Sequence, residues 1–229
     1  MSEKVYTYYT PVPGLWSEDS QRKLIEVWSR SWRKQGWVPI VLDESHAKKH
    51  PRYKEFKERF WSDETHPTEY GHDYEGACFM RYAAVAAMGG GMMVDYDVIN
   101  YSFRPVRPDP RKFFLFDESM NSQAIATGTT LGPAALYEGL AQIFFDWKLT
   151  QHDWNPNAKP PMYHISDLTC TMQMFDGRVA KPAWLELKPG CSIFPHPSWK
   201  FAPLVHYCYA MHAAGYWPKH EHIEKIRPF

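Results

Sequence analysis

Neither sign of charge dominates this chain. Lys plus Arg number 26 and Asp plus Glu number 26, so the formal net charge at pH 7 is zero. That balance argues against a protein that holds nucleic acid mainly through a basic surface, although a local basic groove is compatible with it. Cysteine is scarce and scattered. Cys78, Cys170, Cys191 and Cys208 form no Cys-x-x-Cys pair, so a zinc ribbon or disulfide framework is disfavoured and four reduced intracellular thiols are expected. Long apolar runs are missing too: the longest is too short and too rich in glycine to cross a bilayer. The start, Met-Ser-Glu-Lys, leads into a strand pattern rather than a signal-peptide core. A cytoplasmic protein is expected, with one domain over residues 1–229 that is long enough to bury a substantial core. No internal repeat or low-complexity block interrupts it.

Aromatics, by contrast, make up 16% of the residues, with ten Trp and fourteen Tyr. Most belong in a core, and some can act as stacking platforms for bases or sugars. Val5 to Thr10 reads as a strand stopped by Pro11 and Pro13. Ser17-Glu-Asp-Ser opens an amphipathic helix to about Gln35, with Gly36 at its end. Val38 to Leu42 is a second strand, and strand–helix–strand in some forty residues predicts a parallel α/β sheet flanked by helices. Charged helices follow from Glu44 to Glu64. His46 and His50 stand four apart there, but with lysines between them and no glutamate after His46 a metal site is not expected. Further expectations are a helix over Glu75 to Met88, strands at Met92–Val94 and Phe113–Phe116, and a helix from Pro133 to Trp147. A Pro- and Asn-rich loop over Trp154–Pro161 precedes late strands at Trp184–Leu187, Ser192–Phe194 and Val205–His212.

The chemistry is expected where the run Tyr82 to Val94 ends in Asp95-Tyr96-Asp97. Two ionised carboxylates closing a buried strand are costly unless a metal, cation or ligand partners them. Side chains alternate along a strand, which predicts Asp95 and Asp97 on one side and Tyr96 on the other. In open α/β sheets ligands gather at the carboxyl ends of strands. Two carboxylates there are half a site for Mg²⁺ or Mn²⁺, whose remaining positions suit water and phosphate oxygens. Gly89-Gly90-Gly91 lacks the Lys-Ser/Thr of a phosphate loop and reads as a tight turn.

Arg81 on the preceding helix, then Gly-Gly, two hydrophobic residues and Asp-x-Asp form a more specific pattern. The stretch Ala77-Cys78-Phe79-Met80-Arg81-Tyr82 followed by Gly90-Gly91-Met92-Met93-Val94-Asp95-Tyr96-Asp97 resembles the DXD-containing GT-A glycosyltransferases. The likeness is greatest to the family of the yeast initiating α-1,6-mannosyltransferase and the clostridial glucosylating toxins. It extends to Tyr209-Ala-Met-His212-Ala-Ala-Gly215-Tyr-Trp217, where that family has a strand-end His followed by Trp. The match covers the central and final thirds of the chain and, less closely, the first. Cys78 departs from it, standing where the family has an Asp that touches the donor sugar, and so leaves the sugar unassigned.

The resemblance implies a GT-A-like fold and transfer of a hexose or pentose from a UDP- or GDP-sugar to an acceptor hydroxyl, with Mn²⁺ or Mg²⁺ and with retention. It makes Asp97, Asp95 and His212 the metal ligands, with His206 as the competitor on the same segment. Asp95 would also contact ribose or sugar, Arg81 the donor sugar or its phosphate, and Trp217 and Lys219 the diphosphate. Thr7, Tyr8 and Tyr9 would receive the nucleobase. Retention needs no dedicated base; an inverting relative would draw on Asp167 or Glu118. His164-Ile-Ser-Asp167 and Asp117-Glu118 are acceptor-side candidates that ordinary hydrogen bonding also explains. Alternative readings are Arg81 paired with Glu75 on the outside of its helix, Tyr8 and Tyr9 in the core, a metal-dependent phosphodiesterase or nuclease, and an inactive nucleotide-sugar-binding module. Glycans, proteins and small molecules rank above modified nucleic acid as acceptors.

Overall fold

A computed structural model describes residues 3–12, 17–61, 71–117, 128–150, 166–208 and 218–229. The first strand, β1 (Lys4–Tyr8), leads to α1 (Glu18–Lys34), which Ser17 caps by accepting the Ser20 N–H. At the far end Gly36 takes φ +92, a left-handed conformation that suits the residue just past a helix. One face of α1 buries Leu24, Val27, Trp28 and Trp32. Each such side chain contributes about 1.5–3 kcal/mol of hydrophobic stabilisation, ample to hold the helix on the sheet.

The chain continues through β2 (Val38–Leu42), α2 (Glu44–Ala47), α3 (Tyr53–Trp61) and α4 (His72–Ala87) into β3 (Gly90–Val94). Then follow β4 (Val98–Asn100), β5 (Phe113–Phe116), β6 (Thr129–Pro133), α5 (Ala134–Thr150) and α6 (Asp167–Phe175). β7 (Leu185–Lys188), β8 (Cys191–Ile193), β9 (Leu204–His206) and α7 (Ile223–Ile226) complete the order. The expected α/β class holds: a six-stranded sheet in the order β2-β1-β3-β6-β5-β7, flanked by helices. It is mostly parallel, with β6 alone running against both neighbours. The late strands β8 and β9 join β4 in a separate three-stranded sheet.

Strand alternation sends neighbouring residues to two cores. Tyr6, Met93, Phe113 and Leu115 pack with α3, α4, α5 and α6. Val5, Met92, Val94, Phe114 and Phe116 face α1, the small sheet and α7. The chain leaves β1 by α1 on one face to reach β2, and returns by α4 on the other face to reach β3. The order reverses between β1 and β3, which is where a doubly wound sheet opens a ligand crevice at its carboxyl edge. Among the described residues no helix is long and apolar enough to cross a membrane. The loop expected at Trp154–Pro161 lies outside the described residues.

Candidate metal and donor site

Asp95 follows the last residue of β3, at this switch point. Its N–H donates to the Gly128 carbonyl at 2.7 Å, so the antiparallel ladder with β6 carries one step past the strand. The expected strand alternation does not extend to Asp97. The Val98 N–H donates to the Asp95 carbonyl at 2.9 Å, closing a turn over Asp95–Val98. Asp95 and Asp97 nonetheless converge, because the turn folds them together and not because a strand aligns them. Tyr96 points away, its hydroxyl donating to Gln21 on α1.

The Tyr207 N–H donates to the Asp97 carbonyl at 2.9 Å, and Val98 pairs with His206 across the small sheet. This brings His206 Nε2 to 3.2 Å from Asp97 Oδ1 and 3.9 Å from Asp95 Oδ2. Ligand atoms of Asp95, Asp97 and His206 lie within 4.8 Å of one another, and this is the group of His, Cys, Asp or Glu able to hold a metal among the described residues. Two carboxylate oxygens and an imidazole nitrogen suit Mn²⁺ or Mg²⁺. The group fits such an ion in a further respect. Each carboxylate turns one oxygen toward His206 Nε2, so the three candidate ligand atoms face one another. His212 and Trp217 lie outside the described residues.

Cations hold the outer oxygens. Lys219 Nζ is 2.6 Å from Asp97 Oδ2, while Arg81 Nη1 pairs with Asp95 Oδ1. Burial alone would raise the Asp97 pKa, but Lys219 and His206 outweigh it and hold the carboxyl well below its usual range. Burial likewise works to lower the His206 pKa, and the Asp97 charge reverses the outcome to a raised value. Arg81 is buried and faces inward, not along the outside of α4, and its Nη2 pairs with Asp167 at the start of α6. Burial would lower its pKa, yet Asp167 and then Asp95 more than offset that and raise it.

Cys78 lies one turn before Arg81 on α4. Burial first and then the Asp167 charge push its thiol up, so it stays neutral beside Arg81. At the end of β1, Thr7 is fully buried, and neither its hydroxyl nor that of Tyr9 has a partner among the described residues. The Tyr9 ring meets Tyr96 edge-on at 5.9 Å, so the candidate nucleobase end adjoins the Asp95–Asp97 turn. Tyr8 is half-buried near Glu44 and Tyr53. His46 and His50 do not converge: His46 Nδ1 stays on Asp43 Oδ1 at 2.8 Å, and His50 pairs with Glu138 of α5. Asp117 is buried, and Glu118 and His164 lie outside the described residues. Sequence reasoning missed α6, β6 and the approach of Asp167 to Arg81. The signal available for α6 was the cap Ser166, which accepts the Thr169 N–H at 3.1 Å.

A family profile described as Domain of unknown function (DUF8765) matches residues 2–105, less than half of the chain. It takes in Arg81, Asp95 and Asp97 but not Asp167, His206 or Lys219. No curated protein matches at the sequence level. A crystal structure of a glycosyltransferase involved in the glycosylation of the major capsid of PBCV-1 is similar in fold. Its TM-score is 0.52 at 16% identity, covering 98% of this chain and 100% of that one. The chain therefore has a glycosyltransferase-like α/β fold.

Proposed function

We propose that this protein is a metal-dependent glycosyltransferase that moves a sugar from a UDP- or GDP-linked donor to an acceptor hydroxyl. The observation that carries the reading is the convergence of Asp95, Asp97 and His206 at the β1–β3 switch point of a glycosyltransferase-like fold. These residues would hold Mn²⁺ or Mg²⁺, with His212 the other candidate ligand from the sequence. A divalent ion held there would supply positive charge to balance that of the departing diphosphate. Lys219 stands beside Asp97 as a point charge for the same phosphates, and Trp217 would close over them. Thr7, Tyr8 and Tyr9 would seat the base at the end of β1, with the half-buried Tyr8 or Tyr9 stacking on it. Asp95, with its side chain 31% exposed, is open enough to meet the ribose or sugar. Arg81 adds the positive charge behind it.

No side chain is assigned as a general base. Retention lets the leaving diphosphate accept the acceptor's proton on the same face, which fits the tying of Asp167 to Arg81. A thermal-shift panel of UDP- and GDP-sugars with and without Mn²⁺ tests the reading. Metal-dependent stabilisation by at least one nucleotide is expected, and Asp97→Asn should abolish it while leaving the fold intact. No metal-dependent stabilisation by any of them would sink the proposal.

A further inference from the structure

We infer that Asp167 is a positioning residue for the metal centre, acting through Arg81, and not an acceptor-side base. The inference rests on the metal-dependent reading above and deepens it. A carboxylate that binds a metal through one oxygen must have the other restrained, or the ligand swings between rotamers and the site loses definition. Both carboxylates show that division of labour. Asp97 gives Oδ2 to Lys219 and keeps Oδ1 for the side of His206. Asp95 gives Oδ1 to Arg81 and keeps Oδ2 toward His206.

Lys219 and Arg81 differ in what steadies them. Arg81 is buried on α4, and its planar fork can serve two carboxylates in fixed directions. Nη1 goes to Asp95 and Nη2 to Asp167. Asp167 is itself immobile. Its Oδ2 also accepts the Tyr82 hydroxyl at 3.1 Å, and its Oδ1 accepts the Leu168 N–H at 2.8 Å. A carboxylate 4% exposed, with both oxygens committed, is poorly placed to take a proton from an acceptor. It is well placed to lock a guanidinium. The chain of contacts Tyr82–Asp167–Arg81–Asp95 therefore runs from the core to the outer oxygen of Asp95, Oδ1, and leaves Oδ2 directed at His206.

Direct Mn²⁺ binding, read by electron paramagnetic resonance on the full chain without donor, tests this. Asp167→Asn is isosteric but loses the charge that fixes Arg81, and it should weaken Mn²⁺ binding about tenfold, within the span seen for outer-shell partners. Tyr82→Phe keeps the buried ring and removes the hydroxyl named above, so a smaller weakening in the same direction is expected. It also covers the case in which Asp167→Asn does not fold. Asp167→Glu, which retains the charge, should recover part of the affinity. Mn²⁺ affinities of folded Asp167→Asn or of Tyr82→Phe equal to wild type would overturn the inference, and loss of turnover at unchanged Mn²⁺ affinity would instead mark Asp167 as base or sugar ligand. Wild-type protein that binds no Mn²⁺ would overturn the metal-centre reading itself and this inference with it.

Discussion

Gly128 brings no functional group to the site and still decides where Asp95 sits. A Cβ at this position would overlap the Asp95 carboxylate, with the Asp95 Cγ and Oδ2 as its nearest neighbours. No exposed lysine tip can give way here; the obstructed group is the proposed ligand itself. Gly128→Ala should therefore weaken Mn²⁺ binding by tenfold or more while costing only about 1–3 kcal/mol of stability, the range for overpacking. Calorimetric titration alongside urea unfolding separates the two effects. Asp43 makes a different residue-scale prediction. It caps α2 by accepting from Ser45 and His46, and these hydrogen bonds, Ser45 first, lower its pKa to about 2. A depressed carboxylate contributes stability that is complete above its usual pKa and lost as pH falls through the folded value. Asp43→Ala should cost about 1 kcal/mol at neutral pH, as lost caps do. Its difference from wild type should close between about pH 4 and 2 in urea unfolding.

At the scale of elements, the C-terminal segment positions Lys219. Residues 219–229 run back along α1, where Arg30 meets Glu224 at 3.2 Å and Lys34 Nζ donates to a Phe229 oxygen at 2.6 Å. Arg227 donates to the Trp199 and Ala202 carbonyls and lies 3.8 Å from the Tyr101 ring centroid. Exposed ion pairs of this kind contribute little each, so the anchor is the fully buried Ile223. Ile223→Ala should destabilise the protein by about 2–5 kcal/mol and loosen nucleotide binding in the presence of Mn²⁺, with Asp95, Asp97 and His206 untouched. Unchanged nucleotide affinity in that variant would separate Lys219 from the donor site. Elements also show what can be read from sequence. α1 was legible because its apolar residues keep helical spacing beside a Ser cap and a terminal Gly. α6 was not, because nine residues give two turns of pattern and their buried faces include Thr169, Thr171 and Gln173, polar side chains that mimic a loop.

Over the whole molecule, the candidate centre joins distant parts of one chain. Arg81 comes from one crossover helix, Asp95 and Asp97 from the turn after β3, Asp167 from α6, and His206 and Lys219 from the last thirty residues. An ion that binds only this assembled state stabilises it by about 2.7 kcal/mol at a concentration one hundred times its dissociation constant. For a chain of this length that is about 5–10 °C in melting temperature. The thermal-shift test proposed above should show a rise of that size with Mn²⁺ and nucleotide, and none in Asp97→Asn.

The sequence by itself determined the periodicities and the one electrostatic anomaly. Strand, helix and strand before residue 43 required a parallel α/β sheet, and Asp95-Tyr96-Asp97 after an apolar run required partners for two carboxylates. These are local properties, set by spacing and by the cost of burying charge. Only the tertiary structure decided who those partners are. It placed the triplet in a turn, put His206 across from Val98, sent Arg81 inward to Asp167 and reversed β6 so that Gly128 could face Asp95. Each of these depends on which strands lie side by side, and strand order is settled by burial summed over both faces of the sheet, which no short window of residues contains.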